Sequence, residues 1–190
     1  MKYYDLLVTA FEDIRDELIA SKFKLILEAD FVSRVYYHLL LKDYKRLNNK
    51  LYIDTRLKED VFSKKPANKH FDLVIGQYGT SSKKVYIEDP KLIAEFKVFP
   101  EGFSAQQLSK RKDHVKKDIY KLDNLYRFYG DKCKLCICLL DDREWLSGYN
   151  RNKSTSRLDG FIHYRDEVNK NISILLVRKD GLDNYIMHTY

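Results

Sequence analysis

Cysteine, proline, glycine and tryptophan are all scarce in this chain, with 3 Cys, 3 Pro, 7 Gly and 1 Trp among 190 residues. Cys133 and Cys136 have the C-x-x-C spacing that zinc and redox pairs use, but there is no second pair and no histidine nearby in sequence. Cys136 and Cys138 fall in the apolar run 134–140, where free cysteine packs as a small hydrophobe. A chain of this length buries a core without disulfides or a structural metal. The sequence contains no Gly-rich phosphate loop, no internal repeat and no low-complexity tract. Nor does it contain an apolar run long enough to span a bilayer. Acids enter at once in Met1-Lys2-Tyr3-Tyr4-Asp5, which is not a signal-peptide pattern. A cytoplasmic protein without a membrane partner is the expectation.

What is abundant is apolar and charged together. Hydrophobic residues make up 44% and aromatics 14%, as in a folded protein, and one domain over 1–190 is expected. Charged residues make up 33% with a net charge of +7, a balance that suits a polyanionic partner.

The chain is organised around residues 92–99, Leu-Ile-Ala-Glu-Phe-Lys-Val-Phe, bounded by Asp89-Pro90 and Pro100-Glu101-Gly102. This reads as a buried strand. Side chains alternate along a strand, so Glu95 and Lys97 share one face while Leu92, Ala94, Phe96 and Val98 make the other wholly apolar. Either the two charges pair on an exposed edge face, or they are buried for chemistry.

Before this strand, Leu7, Phe11, Ile14 and Leu18 mark an amphipathic helix over 3–20. A second helix runs from Glu28 or Asp30 to Leu47 with a stripe of Val32, Val35 and Leu39. Glu28 lies one turn back along that stripe, either as a helix-start acid or as a site residue. Residues 51–57 alternate weakly as a first strand, and 58–69 read as a loop. Phe71–Gly76 is the next strand and carries Asp72, with Val85–Ile87 as a hairpin arm. Asp72 either bonds its own backbone at the strand start or faces the neighbouring strand 92–99.

After the central strand, Ser104-Ala-Gln-Gln107 is a capping box, and Phe103 and Leu108 form a hydrophobic staple. The helix so started runs to Tyr129 and stops at Gly130. Strands follow at 134–140 and 172–177. The polar segment 141–171, with Trp145, Arg151, Lys153 and Arg157, reads as an insertion facing a substrate. Two basic groups stand out: Lys42, Lys45 and Arg46 end the second helix, and Lys110, Lys116 and Lys117 lie on the long one. They are either solvated faces or phosphate-tracking surfaces.

Asp72 on one strand and Glu95-Phe96-Lys97 on the next, followed by a capped helix and a further strand, resembles the PD-(D/E)xK nuclease superfamily. The resemblance covers about residues 28–140, and Glu28 matches the acid that many members carry on the first core helix. No proline precedes Asp72, which follows His70-Phe71. The resemblance implies an α/β domain with a three-layer, restriction-endonuclease-like core: a central mixed β-sheet flanked by α-helices. It implies a metal-dependent endonuclease, a phosphodiester hydrolase acting on DNA and leaving a 5′-phosphate. Asp72, Glu95, Lys97 and Glu28 would be its catalytic set, with Asp72, Glu95 and Glu28 on Mg²⁺, for which Mn²⁺ substitutes. The Phe96 carbonyl would add a neutral ligand. Carboxylate oxygens suit Mg²⁺, and Lys97 would orient or deprotonate the attacking water and stabilise the transition-state charge. Many members dimerise to cut two strands, so a homodimer is an implied partner. The alternative is a catalytically silent relative that only binds nucleic acid or a protein.

Overall fold

The structure is a computed structural model. It describes residues 2–21, 27–57, 70–81, 84–148, 155–181 and 184–190. The expected loop 58–69 lies outside the described residues. Helix α1 (Tyr3–Ile19) and helix α2 (Glu28–Leu47) come first. Three strands follow, β1 (Leu51–Arg56), β2 (His70–Ser81) and β3 (Lys84–Phe99). The long helix α3 (Ala105–Tyr129) leads to β4 (Lys134–Asp141), α4 (Arg157–Asn169), β5 (Ser173–Lys179) and β6 (Tyr185–Thr189). The six strands form one sheet in sequence order. β1–β2–β3 are antiparallel, β3–β4–β5 are parallel, and β6 returns antiparallel to β5. Among the described residues no helix is long and apolar enough to cross a membrane.

Alternation decides the layers. Leu92, Ala94, Phe96 and Val98 of β3, with Cys136, Cys138 and Leu140 of β4, pack under α1 and α2. Ile93, Leu135, Ile137 and Leu139 pack on the other side under α3 and α4. The result is a central mixed sheet between two helical layers. Burial pushes the Cys136 thiol up to about 12, so it sits in the core as an apolar group.

The capping box forms as written: Gln107 N–H donates to Ser104 Oγ at 3.3 Å, and Ser104 N–H to Gln107 Oε1 at 2.8 Å. The helix ends at Gly130, whose φ of 53° is the left-handed conformation a glycine supplies without a side-chain clash.

Three expectations need correction. The central strand does not start after Pro90: β3 runs unbroken from Lys84, so the 85–87 arm and 92–99 are one strand. Proline is tolerated there because the register slips between Ile75 and Gly76, setting Pro90 opposite Gly76 at an irregularity. A side chain at Gly76 would meet Asp89 O at 2.7 Å, so only glycine permits the approach. Second, the described part of 141–171 holds a turn and a helix that the sequence reading did not place, while Arg151 and Lys153 lie outside the described residues. Asp141 is fully buried and pins the following turn by accepting from the N–H groups of Trp145 at 3.0 Å and Leu146 at 2.6 Å. Trp145 stacks on Phe99 at 5.1 Å, and α4 follows behind its own capping box of Ser156 and Asp159. Third, the sheet extends past the expected strands to β6, an edge strand whose Tyr-Ile-Met-His-Thr is only partly buried.

Candidate functional site

Pairing of β2 with β3 ends at Leu73–Ala94, but β3 continues to Phe99 alongside β4. Past Ala94 the β2-facing edge of β3 therefore needs other partners for its backbone. Side chains provide them. Asp72 Oδ2 accepts from Phe96 N–H at 2.7 Å, and Lys97 Nζ donates to the Phe96 carbonyl at 2.6 Å. Phe96 itself is anchored beneath the sheet by Phe31 at 5.3 Å and Phe11 at 6.3 Å. Its burial sets the parity that turns Glu95 and Lys97 towards α3.

The structure brings all four expected residues together. Glu28 reaches the site from the first turn of α2, while Asp30 does the capping by accepting from Leu27 N–H at 2.7 Å. The alternative that Glu28 merely caps its helix is thereby set aside. The Lys97 ammonium lies 3.1 Å from Asp118, 3.4 Å from Glu28 and 3.9 Å from Asp72. Glu95 is paired with Lys121, not Lys97, so the simple Glu95–Lys97 pair is not what forms. Lys121 also donates to the His70 carbonyl and sits 4.0 Å from the Phe71 ring centroid. Arg111 holds the other oxygen of Glu28 at 2.7 Å.

Asp118, Lys121 and Arg111 were not singled out from the sequence. They read as part of α3's charged faces because their i, i+7 and i+10 spacing only says that they share a side of the helix. A signal exists: all three flank the buried stripe of Val115, Ile119 and Leu122.

Four carboxylates (Glu28, Asp72, Glu95, Asp118) thus face three cations (Lys97, Lys121, Arg111), a formal excess of one negative charge. Burial, with the charges of Asp72 and Asp118, pushes the Glu95 carboxyl well above its usual range, against the pull of Lys121. Burial likewise raises Asp118, opposed by Lys97. Burial lowers Lys97, but Asp118, Glu28 and Asp72 outweigh it and hold the ammonium above the ordinary lysine range. In this arrangement Lys97 is a fixed positive charge, suited to stabilising an anion and unsuited to accepting a proton.

Carboxylate oxygens are the right chemistry for Mg²⁺. As they stand, however, the Phe96 N–H holds Asp72, Lys121 holds Glu95 and Arg111 holds Glu28, with Lys97 lying between Glu28 and Asp72. Among the described residues no group of three or more His, Cys, Asp or Glu side chains is arranged to hold a metal ion.

The basic residues divide. Lys42 is bound to Asp13 at 2.8 Å and Arg46 stacks over Tyr3 at 4.3 Å. At ~1.5 Å per residue, Lys42, Lys45 and Arg46 stand about 20 Å or more along α2 from Glu28. Lys116 lies over the Tyr164 ring at 5.0 Å, on the α4 side of α3. Lys110 and Lys117 are exposed and, at roughly 100° per residue, fall on the same side as Lys121.

Comparison with known proteins adds little. No family model matches the chain, and no curated protein matches it. A solved structure of Pyrococcus furiosus SfsA in complex with Ca²⁺ aligns at a TM-score of 0.34 with 14% identity, covering 86% of this chain. The alignment spans 64% of that protein's length.

Proposed function

We propose that the protein binds nucleic acid, DNA being the expected form, along the exposed side of α3 beside the carboxylate–lysine site. One observation carries this reading. Lys110, His114 and Lys117 form an exposed row next to a site whose carboxylates are each already engaged by the chain's own cations or backbone. Phosphates recruited to that row meet positive charge that no acid among the described residues pairs with, in a chain of net charge +7. The site itself stabilises the junction where β2 leaves β3.

A second reading, metal-dependent phosphodiester hydrolysis, is favoured by a separate observation: Glu28, Asp72, Glu95 and Lys97 converge from α2, β2 and β3. Such convergence of unlike charges is costly to bury and is common at active sites. Hydrolysis would require the acids to exchange Lys97 and Lys121 for a divalent cation.

One experiment separates the two. Binding to duplex and single-stranded DNA is measured in EDTA, and plasmid nicking in Mg²⁺ or Mn²⁺. Salt-sensitive binding without nicking is the expected result, with affinity falling steeply as counterion release requires. Nicking that Glu95→Ala abolishes establishes the second reading. Absence of binding at low salt refutes the first.

A further inference from the structure

The exposed side of α3 carries more than cations. Tyr120 is 56% exposed and Phe128 is 58% exposed, large rings left in water on a helix whose opposite stripe is fully buried. At roughly 100° per residue, Lys110, His114, Lys117, Tyr120, Lys121, Asn124 and Phe128 occupy an arc of about 120°. Asp113 is the acid on that arc and is exposed. Along the axis the order is Lys110, His114, Lys117, then Tyr120 beside the Glu95-bound Lys121, then Asn124 and Phe128. Asn124 donates to the Tyr120 carbonyl at 3.0 Å, within the helix backbone, and leaves the Tyr120 ring free of that bond.

Building on the nucleic-acid reading, we infer that this side of α3 is a path for a single strand. Lys110 and Lys117 hold phosphates, and Tyr120 and Phe128 stack unpaired bases. A duplex offers its outer surface as phosphates and groove edges and keeps its base faces inside. It would use the lysines and leave both rings idle. A single strand exposes base faces, and an exposed ring beside a cation is the arrangement that binds them. The two rings are about 12 Å apart along the helix. That exceeds the ~3.4 Å per residue of a stacked duplex strand, so bases are taken singly and not from one continuous stack. Charge complementarity, with two free lysines and a histidine against one aspartate, favours a polyanion over an apolar protein segment as the occupant.

The test uses the full chain in EDTA, with a labelled mixed-sequence oligodeoxynucleotide either alone or annealed to its complement. Fluorescence anisotropy gives each affinity at several salt concentrations. The single strand is expected to bind more tightly than the duplex. Tyr120→Ala and Phe128→Ala should each weaken single-strand binding by roughly five- to a hundred-fold, leaving duplex affinity and the salt slope unchanged. Tyr120→Phe retains the ring face and should bind as the parent does. Lys117→Ala should weaken both forms alike and reduce the salt slope by about one. Circular dichroism melts confirm that these exposed substitutions leave the fold intact. Equal or tighter duplex binding, with the ring variants indistinguishable from the parent, overturns the single-strand path while leaving the nucleic-acid reading standing. No binding of either form overturns both.

Discussion

Replacing Lys97 by methionine tests whether the site is a true charge cluster. The stem is roughly preserved and the ammonium is lost. Lys97 Nζ lies 3.1 Å from Asp118, 3.4 Å from Glu28 and 3.9 Å from Asp72. At an effective dielectric of ~20 each contact is a gross attraction of about 4–5 kcal/mol, offset by the desolvation of both partners. The side chains of Glu28 and Asp72 keep 28% and 31% exposure, so solvent screens those two contacts. The Asp118 contact, with 17% and 11% exposure, counts nearly in full. Deleting one partner of such a buried pair costs about 3–5 kcal/mol, and screening places Lys97→Met near 3 kcal/mol. For a chain of this size that lowers the melting temperature by about 6–12 °C. Denaturation would be followed at pH ~8, above the ordinary carboxylate range, in EDTA and against Mg²⁺ and Mn²⁺ titrations. With the ammonium gone, a divalent cation should recover part of the loss. At a hundred times its Kd it returns about 2.7 kcal/mol. The reasoning is refuted if Lys97→Met in EDTA is as stable as the parent to within ~0.5 kcal/mol.

Two further predictions concern stability. Gly76→Ala places a Cβ 2.7 Å from Asp89 O and 2.8 Å from the Pro90 Cα, both backbone atoms. It should cost about 1–3 kcal/mol in urea unfolding, and an unchanged midpoint would show that β3 can shift to admit it. The raised carboxyls of Glu95 and Asp118 give a pH dependence whose sign is definite. Between the usual carboxylate range and their raised values the folded protein holds protons that the unfolded chain has released. Stability therefore falls as pH rises through that window. Asp118→Asn removes one contribution and should flatten the slope seen in urea titrations, and an unaltered slope would show that Asp118 does not supply it.

Local pattern determined much of this protein. The stripe Leu7, Phe11, Ile14 and Leu18, the Ser104–Gln107 box and Gly130 each act within one or two helical turns, and so α1 and α3 were legible nearly to the residue. Alternation in 92–99 likewise placed Glu95 and Lys97 on one face, because a strand has only two faces to choose from. Other elements depended on partners distant in the chain. Pro90 broke the reading of β3 because proline usually ends a strand, and only the register slip opposite Gly76 lets it stay. The turn after β4 looked like open loop because its order comes from one buried acid, Asp141, and from Trp145 stacking on Phe99, neither visible as a period.

The candidate site divides in the same way. Its residue types and strand positions were in the sequence. Their partners were not. That Glu95 binds Lys121 and Lys97 binds Asp118 follows from how α3 lies across the end of the β2–β3 pairing. The exposure of Lys117 and Tyr120 beside the site follows from the same packing, and the engagement of Lys42 by Asp13 and of Arg46 by Tyr3 follows from that of α1 on α2. A sequence states which charges a chain carries, and tertiary structure alone decides their distances, on which every one of these energies depends.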